Sequence, residues 1–156
     1  MVYLDLDGVL ADFDARVNDI FGKSPSQVPS KELWQGIAHF DKTVEPFFEN
    51  LPMMDDAHDL IRFVDTHFKK WAILTASGYT PKNVAEQKRK WVAKTIHPSI
   101  NVIVVRKSEE KANYATSNSI LVDDRMKSIQ PWRNAGGIGI LHTSASDSIE
   151  QLTKHL

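Results

Sequence analysis

With 156 residues, 42% of them apolar and 25% charged, and a formal charge of −1, the chain has the proportions of one soluble globular domain. The near-neutral balance excludes a broad basic surface for nonspecific nucleic-acid binding, and the absence of cysteine excludes disulfides, zinc-thiolate sites and thiol catalysis. No apolar run reaches membrane-spanning length, and a chain that starts on a core strand leaves no room for a signal peptide, so a cytoplasmic location without a membrane partner is expected.

Val2, Tyr3, Leu4 and Leu6 favour a strand, and Gly8 permits a turn directly after it. In that strand Asp5 and Asp7 would share a face, because side chains alternate. Two like charges that close repel, so the pair asks for a cation or a shared proton. Mg²⁺ is the natural candidate: it prefers carboxylate oxygens and keeps waters and substrate phosphate as its other ligands.

Asp12 to Lys23 reads as a helix, with Phe13, Val17, Ile20 and Phe21 at three- and four-residue intervals and Gly22 at its stop. Ser24 to Ser30 carries two prolines and three serines and reads as a connector. Lys31 to Phe40 has Leu33, Trp34, Ile37 and Phe40 at helical spacing, and Phe47-Phe48 form a second aromatic group before Pro52. Residues 23–52 are therefore expected to form a small helical insertion after the first strand, with 1–22 and 53–156 making the core domain. Its rings are either that insertion's own packing or an apolar wall over the acidic site.

Asp55 to Phe68 has a helical pattern, with Ala57, Leu60, Ile61 and Val64 as its buried face. Trp71 to Leu74 reads as a buried strand ending in the small-residue turn Thr75-Ala76-Ser77-Gly78. Pro81 is placed to open a long helix, with Val84, Lys88, Trp91, Val92 and Ile96 in register. Val102 to Val105 is a third strand, and Glu109 to Ala115 at most a short helix. Ile120 to Val122 is a fourth strand, ending in Asp123-Asp124-Arg125. Ile129 to Ala135 is helical or turn, ended by Gly136-Gly137. Ile138 to Leu141 is a fifth strand broken by Gly139, and Ser146 to Leu156 a terminal helix. Apolar strands alternating with helices argue an α/β fold: a Rossmann-like parallel sheet of five strands covered on both faces.

In such sheets ligands bind at the carboxyl ends of the strands, and polar residues cluster there. Strand one ends in Asp5 and Asp7, strand two in Thr75 and Ser77, and strand four in Asp123 and Asp124. Arg106, Lys107 and Lys111 follow strand three.

The set Asp5-x-Asp7-Gly8-Val9, Thr75, Lys111 and Asp123-Asp124 resembles the four motifs of the haloacid dehalogenase (HAD) superfamily of phosphohydrolases, in the same order. More narrowly, Asp5-Leu6-Asp7-Gly8-Val9-Leu10-Ala11-Asp12-Phe13 is similar to the 5'(3')-deoxyribonucleotidases. So are Phe47-Phe48 running on through Leu51-Pro52 to Ala57, Lys88 with Trp91-Val92, and Leu121-Val122-Asp123-Asp124-Arg125. The likeness is weakest between Gly22 and Glu45, where the insertion is short.

The resemblance implies a Mg²⁺-dependent phosphatase of a small phosphomonoester, most readily a nucleoside or deoxynucleoside monophosphate. It makes Asp5 the nucleophile that forms an aspartyl phosphate and Asp7 the acid and base. Mg²⁺ would be held by Asp5, the backbone carbonyl of Asp7, and Asp124, with Asp123 either orienting a nearby donor or acting as a ligand itself. The Thr75 hydroxyl would bind phosphate, with Ala76 and Ser77 beside it. Lys111 would pair with phosphate and nucleophile, with Lys107 and Lys88 as rivals for that role. Phe13 matches a ring of the nucleotidase base pocket, and Trp34 and Phe48 are further pocket candidates. Arg125 is expected to be a structural ion-pair partner, and no histidine is given a role.

Two other readings stand beside this one. The substrate could be another phosphate ester, such as a nucleic-acid 3'-phosphate end or a sugar phosphate. The chain could instead be a receiver-like module that accepts a phosphoryl group on an aspartate and signals with it.

Overall fold

The computed structural model describes residues 1–156. Five strands form one sheet: β1 (Val2–Leu4), β2 (Trp71–Ala76), β3 (Val102–Val105), β4 (Ile120–Asp123) and β5 (Ile138–Leu141). Six α-helices accompany them: α1 (Phe13–Phe21), α2 (Ser30–Thr43), α3 (Ala57–His67), α4 (Val84–Thr95), α5 (Met126–Asn134) and α6 (Ala145–Thr153). The strand order is β3-β2-β1-β4-β5 and every pairing is parallel. The chain thus leaves β1 in one direction, then returns to its other side at β4. That reversal is where open parallel sheets bind ligands.

Alternation of side chains along the strands divides the core. Val2, Leu4, Ile73 and Val122 point to one face and share a cluster with Val17, Leu60, Trp91 and Leu152 of α1, α3, α4 and α6. Tyr3, Ala72, Leu74 and Leu121 point to the other and pack on Ile129 and Trp132 of α5. Both faces being covered explains why the strands read as continuous apolar runs.

Residues 23–52 contain the short 3₁₀ turn Pro25–Gln27, then α2, then a second 3₁₀ turn, Phe48–Asn50. Leu33, Ile37, Phe47 and Phe48 are buried in the larger cluster, so this segment shares the core of α1, α3, α4 and α6. Trp91 of α4 helps to seat it by donating its indole N–H to the Leu51 carbonyl at 2.7 Å.

Several local expectations are corrected. β1 ends at Leu4, so strand alternation does not set the relation of Asp5 to Asp7. Instead the Leu6 carbonyl accepts from the N–H groups of Val9, Leu10 and Ala11, which curls the chain at once. β2 runs on through Thr75 and Ala76, which pair with Val104 and Val105, so these two are strand and not turn. α4 begins at Val84, and Pro81 lies in the loop before it, beyond a cis Thr80–Pro81 bond. Met126–Asn134 is a full helix with Pro131 inside it. Gly139 does not break β5: it pairs with Leu121, and a Cβ there would press on Ile129 and Arg133 at 3.0–3.1 Å. The glycine lets α5 approach the strand closely, which is a packing requirement and not a turn signal.

Leu121→Ala, in the middle of the sheet, is expected to cost about 2–5 kcal/mol of stability. Val44→Ala, at a 67% exposed position, is expected to change stability by less than about 0.5 kcal/mol. Urea unfolding followed by tryptophan fluorescence distinguishes the two.

Candidate active site

The pairing of Leu4 with Val122 brings the carboxyl ends of β1 and β4 together. The Asp5 N–H continues that ladder, donating to the Val122 carbonyl at 3.0 Å. Asp5 and Asp123 therefore leave adjacent strands side by side, and both are buried. Lys111, from the 3₁₀ segment Ser108–Tyr114, lies between them. Its Nζ donates to Asp5 Oδ1 at 2.8 Å and to Asp123 Oδ2 at 2.6 Å. Asp123 Oδ1 accepts from the Arg125 N–H at 3.0 Å.

Asp124 completes an acidic triangle. One carboxylate oxygen each of Asp5, Asp123 and Asp124 lies within 4.8 Å of the others. Asp124 Oδ1 is buried without a hydrogen-bond partner. Gly8 faces it: φ there is +84°, and a Cβ would collide with the Asp124 carboxylate. A side chain at position 8 is thus excluded both by conformation and by space.

The charges explain one another. Burial opposes the positive charge of Lys111, but Asp5 and Asp123 outweigh it and hold its pKa up at about 12. Burial raises Asp123, the charge of Asp5 adds to this, and Lys111 pulls back, leaving it at about 6. Burial, then Asp5 and Asp123, push Asp124 up to about 7. One ammonium cannot neutralise three carboxylates, and the surplus falls on Asp124.

Asp7 belongs to a second, separate cluster. Its Oδ2 accepts from Lys88 Nζ at 3.0 Å, and its Oδ1 is buried without a partner. Lys88, from α4, also donates to Thr75 Oγ1 at 2.9 Å and to the Ala76 carbonyl at 2.7 Å. Thr75 accepts from the lysine, which leaves its own hydroxyl proton to donate elsewhere. Ser77 is nearby, but its N–H goes to the Val105 carbonyl and its hydroxyl to the Gly78 carbonyl.

Above these clusters lies a cleft of about 1310 Å³, lined among others by Asp7, Lys88, Asp124, Phe13, Trp34 and Phe48. The three rings are nearly parallel. Phe13 is 5.8 Å from Trp34 and 6.0 Å from Phe48 between centroids, and Trp34 is 6.4 Å from Phe48. Lys88 Nζ sits 5.3 Å from the Phe48 centroid, so the apolar wall begins where the polar cluster ends. Trp34 remains 37% exposed toward the cleft, whereas Phe47 is fully buried and serves packing.

Of the twelve residues singled out from the sequence, Asp5, Lys111, Asp123 and Asp124 meet in one cluster. Asp7, Thr75, Lys88 and Ala76 meet in another. Phe13, Trp34 and Phe48 form the wall, and Ser77 lies at the rim with its polar groups spent. Lys111 and Lys88 hold two different acids. Lys107 is exposed at the rim, and its N–H donates to Glu110. Arg125 forms no ion pair, contrary to expectation; it contributes its backbone N–H.

One buried polar residue escaped the sequence, and a histidine given no role there lies on the cleft wall. Gln87 is buried on α4, beside Lys88. Its Oε1 accepts from the N–H groups of Phe48 and Glu49 at 2.8 and 3.3 Å, and its Nε2 donates to Asp41 and Asn83. A polar residue within the apolar register of α4 was the available signal. His142 follows β5 on the cleft wall, with Nδ1 and the Ser148 hydroxyl 2.7 Å apart. Burial lowers its pKa although Asp56, Asp147 and Asp5 act in the other direction.

A carboxyl whose pKa is raised by folding contributes stability that is fully present below its unfolded pKa of about 3.9 and is lost as pH rises through its folded pKa. For Asp124 that loss passes through about pH 7. In the presence of chelator, Asp124→Asn is therefore expected to raise the melting temperature more at pH 8 than at pH 5. An equal gain at both pH values contradicts this account of the triangle.

No protein-family model and no curated protein sequence matches the chain. Solved structures do. A hydrolase from Pseudomonas syringae superposes with a TM-score of 0.61 at 14% identity, over 99% of this chain and 98% of its own. A hydrolase from Streptococcus pneumoniae TIGR4 gives 0.60 at 17% identity, over 97% of both chains. A HAD-superfamily hydrolase from Ehrlichia chaffeensis gives 0.58 at 14% identity, over 99% of this chain and 96% of its own. At these identities the likeness concerns architecture, and it runs the whole length of the chain: the protein has a HAD-like Rossmann fold.

Proposed function

We propose that the protein is a Mg²⁺-dependent phosphatase of nucleoside monophosphates that works through an aspartyl phosphate on Asp5. The observation that carries this reading is the division of the four acids. Lys111 holds Asp5 in place beside Asp123 and Asp124, while Asp7 is held apart by a lysine of its own. A nucleophile and an acid-base group need different environments, and two carboxylates in two settings can provide them. The structures that share the fold are hydrolases by name, which supports the broader class to which a phosphatase belongs.

The donor set suits Mg²⁺. Asp5, Asp124 and the backbone carbonyl of Asp7 offer hard oxygen ligands, and the unpartnered Asp124 Oδ1 beside a side-chain-free Gly8 is where such an ion fits. Bound there, Mg²⁺ would neutralise phosphate charge so that an anionic nucleophile can approach.

The chain's own residues do the rest. An Asp5 oxygen attacks phosphorus and the bond to the leaving alcohol breaks. Asp7 gives its proton to that alcohol oxygen from Oδ1, the oxygen that no protein group occupies. Water then attacks the aspartyl phosphate, Asp7 takes the proton back, and Asp5 is released. The Thr75 hydroxyl donates to a phosphate oxygen on the β2 side, and Lys88, whose three donors go to Asp7, Thr75 and the Ala76 carbonyl, holds those groups in position. Phe13, Trp34 and Phe48 give a flat apolar surface for a nucleobase, with stacking worth about 1–3 kcal/mol.

The receiver-like alternative loses its support. Flavodoxin-like receivers have the strand order 2-1-3-4-5, whereas this sheet is β3-β2-β1-β4-β5.

Phosphate release is expected from nucleoside monophosphates with Mg²⁺ and not with chelator. Asp5→Asn abolishes it, and Asp7→Asn lowers kcat by about 10²–10⁴-fold. Release from a sugar phosphate far faster than from any nucleotide removes the nucleotide assignment. No release from any phosphomonoester removes the phosphatase.

Trp34→Ala is expected to raise KM for a nucleotide about tenfold while leaving kcat within about twofold, as loss of a stacking contact does. An equal rise in KM for a ring-free phosphate ester assigns the effect to folding instead.

A further inference from the structure

We infer that the cleft has a second anion subsite, built on Arg106 and Tyr79, which takes another phosphate of a nucleotide substrate. The ligand class is a nucleoside bisphosphate or the phosphorylated end of an oligonucleotide, which share that second phosphate. The inference rests on the nucleotide reading above and extends it.

The cleft is larger than one nucleoside needs. Its volume of about 1310 Å³ exceeds the roughly 300–1,000 Å³ usual for a small-molecule site. The aromatic wall stands on the side of α1 and α2, and the acid clusters lie at the ends of β1, β2 and β4. The other side is the rim formed by the loops after β2 and β3, which supply Tyr79 and Arg106.

These two residues form a unit. The Arg106 guanidinium carbon lies 4.8 Å from the centre of the Tyr79 ring. Tyr79 is 60% exposed, so the stack stands in solvent at the cleft mouth. A guanidinium stacked on a ring keeps its planar edge of N–H donors free, and that edge matches phosphate oxygens. Nothing in the protein uses those donors. Three nearby ammonium groups are already engaged, Lys88 by Asp7, Lys111 by Asp5 and Asp123, and Lys127 by Glu109 at 3.7 Å, while the exposed Lys107 beside Arg106 adds to the positive charge of this rim. Arg106 has no carboxylate within ion-pair distance. The rim acids Asp12, which caps α1, and Asp14, in its first turn, lie on the side of the aromatic wall.

The spacing is suitable. Arg106 follows β3, which is two strands from β1, about 10 Å across the sheet. Arg106 lines the same cleft as Asp7 and Asp124, so its guanidinium at the mouth is placed for a second phosphate of a nucleoside whose first phosphate is at Asp5. An exposed tyrosine ring beside it offers a second stacking platform, the arrangement by which proteins hold successive bases of a strand.

The test is titration calorimetry with Mg²⁺ on the Asp5→Asn variant, which does not consume its ligands. Thymidine 5'-monophosphate, thymidine 3',5'-bisphosphate and a 5'-phosphorylated thymidine dinucleotide are compared. The expected result is that the bisphosphate binds at least tenfold tighter than the monophosphate, and that adding Arg106→Ala erases the difference. Arg106→Lys, which keeps charge but not the fork, is expected to restore only part of it. A dinucleotide that binds tighter still, with that increment lost in Tyr79→Ala, identifies the source as a strand end. A dinucleotide no tighter than the bisphosphate identifies the free bisphosphate.

Monophosphate and bisphosphate affinities within twofold of each other overturn the subsite, as does a preference that survives Arg106→Ala. These outcomes are separate from failure of the phosphatase, because the affinity ratio is read without turnover. Wild-type protein that releases no phosphate yet keeps the Arg106-dependent ratio retains the subsite and loses the reaction.

Discussion

The ion pairs of Lys111 are the constraint on which the arrangement depends. A buried ammonium and two buried carboxylates each lose several kcal/mol of hydration, and only their mutual contacts compensate. Removing Lys111 would leave Asp5 and Asp123 facing each other across the seam between β1 and β4 in a poorly solvated place. The lysine thus joins the two strands at the point where the sheet reverses direction. It also fixes the orientation of Asp5, the proposed nucleophile, before any ligand arrives, which is how a site gains from positioned charge.

Local sequence supplies what this constraint needs. The parallel sheet puts the ends of β1 and β4 beside each other through backbone pairing alone. The curl at Leu6 and the left-handed Gly8 turn Asp7 away from Asp5, so the two acids acquire different partners. The cost is an acidic excess, expressed in the raised pKa of Asp124. That acidic excess is what the proposed cation would offset.

Most of the sheet was legible because strands buried on both faces leave continuous apolar runs, and helices between them leave a helical period. The acids were legible because they stop those runs abruptly. Other features were not, for physical reasons. Gly139 looks like a breaker in one dimension, but its role is the approach of α5. The need for Gly8 lies partly in Asp124, remote in the chain. Pro81 suits a helix start, yet the helix waits until Val84. The division of labour between Lys88 and Lys111 depends on which acid each reaches, and spacing along the chain does not carry that information.

The neighbours Gln87 and Lys88 share one turn of α4 but face different halves of the site. Gln87 grips the backbone that carries the Phe48 ring, and Lys88 grips the Asp7 carboxylate. A rigid helical turn cannot move one grip and leave the other still. The position of the Phe48 ring and the aim of Asp7, the proposed proton donor, are consequently in mechanical series. Recognition and chemistry at this site share a lever whose fulcrum is the helix, not the substrate.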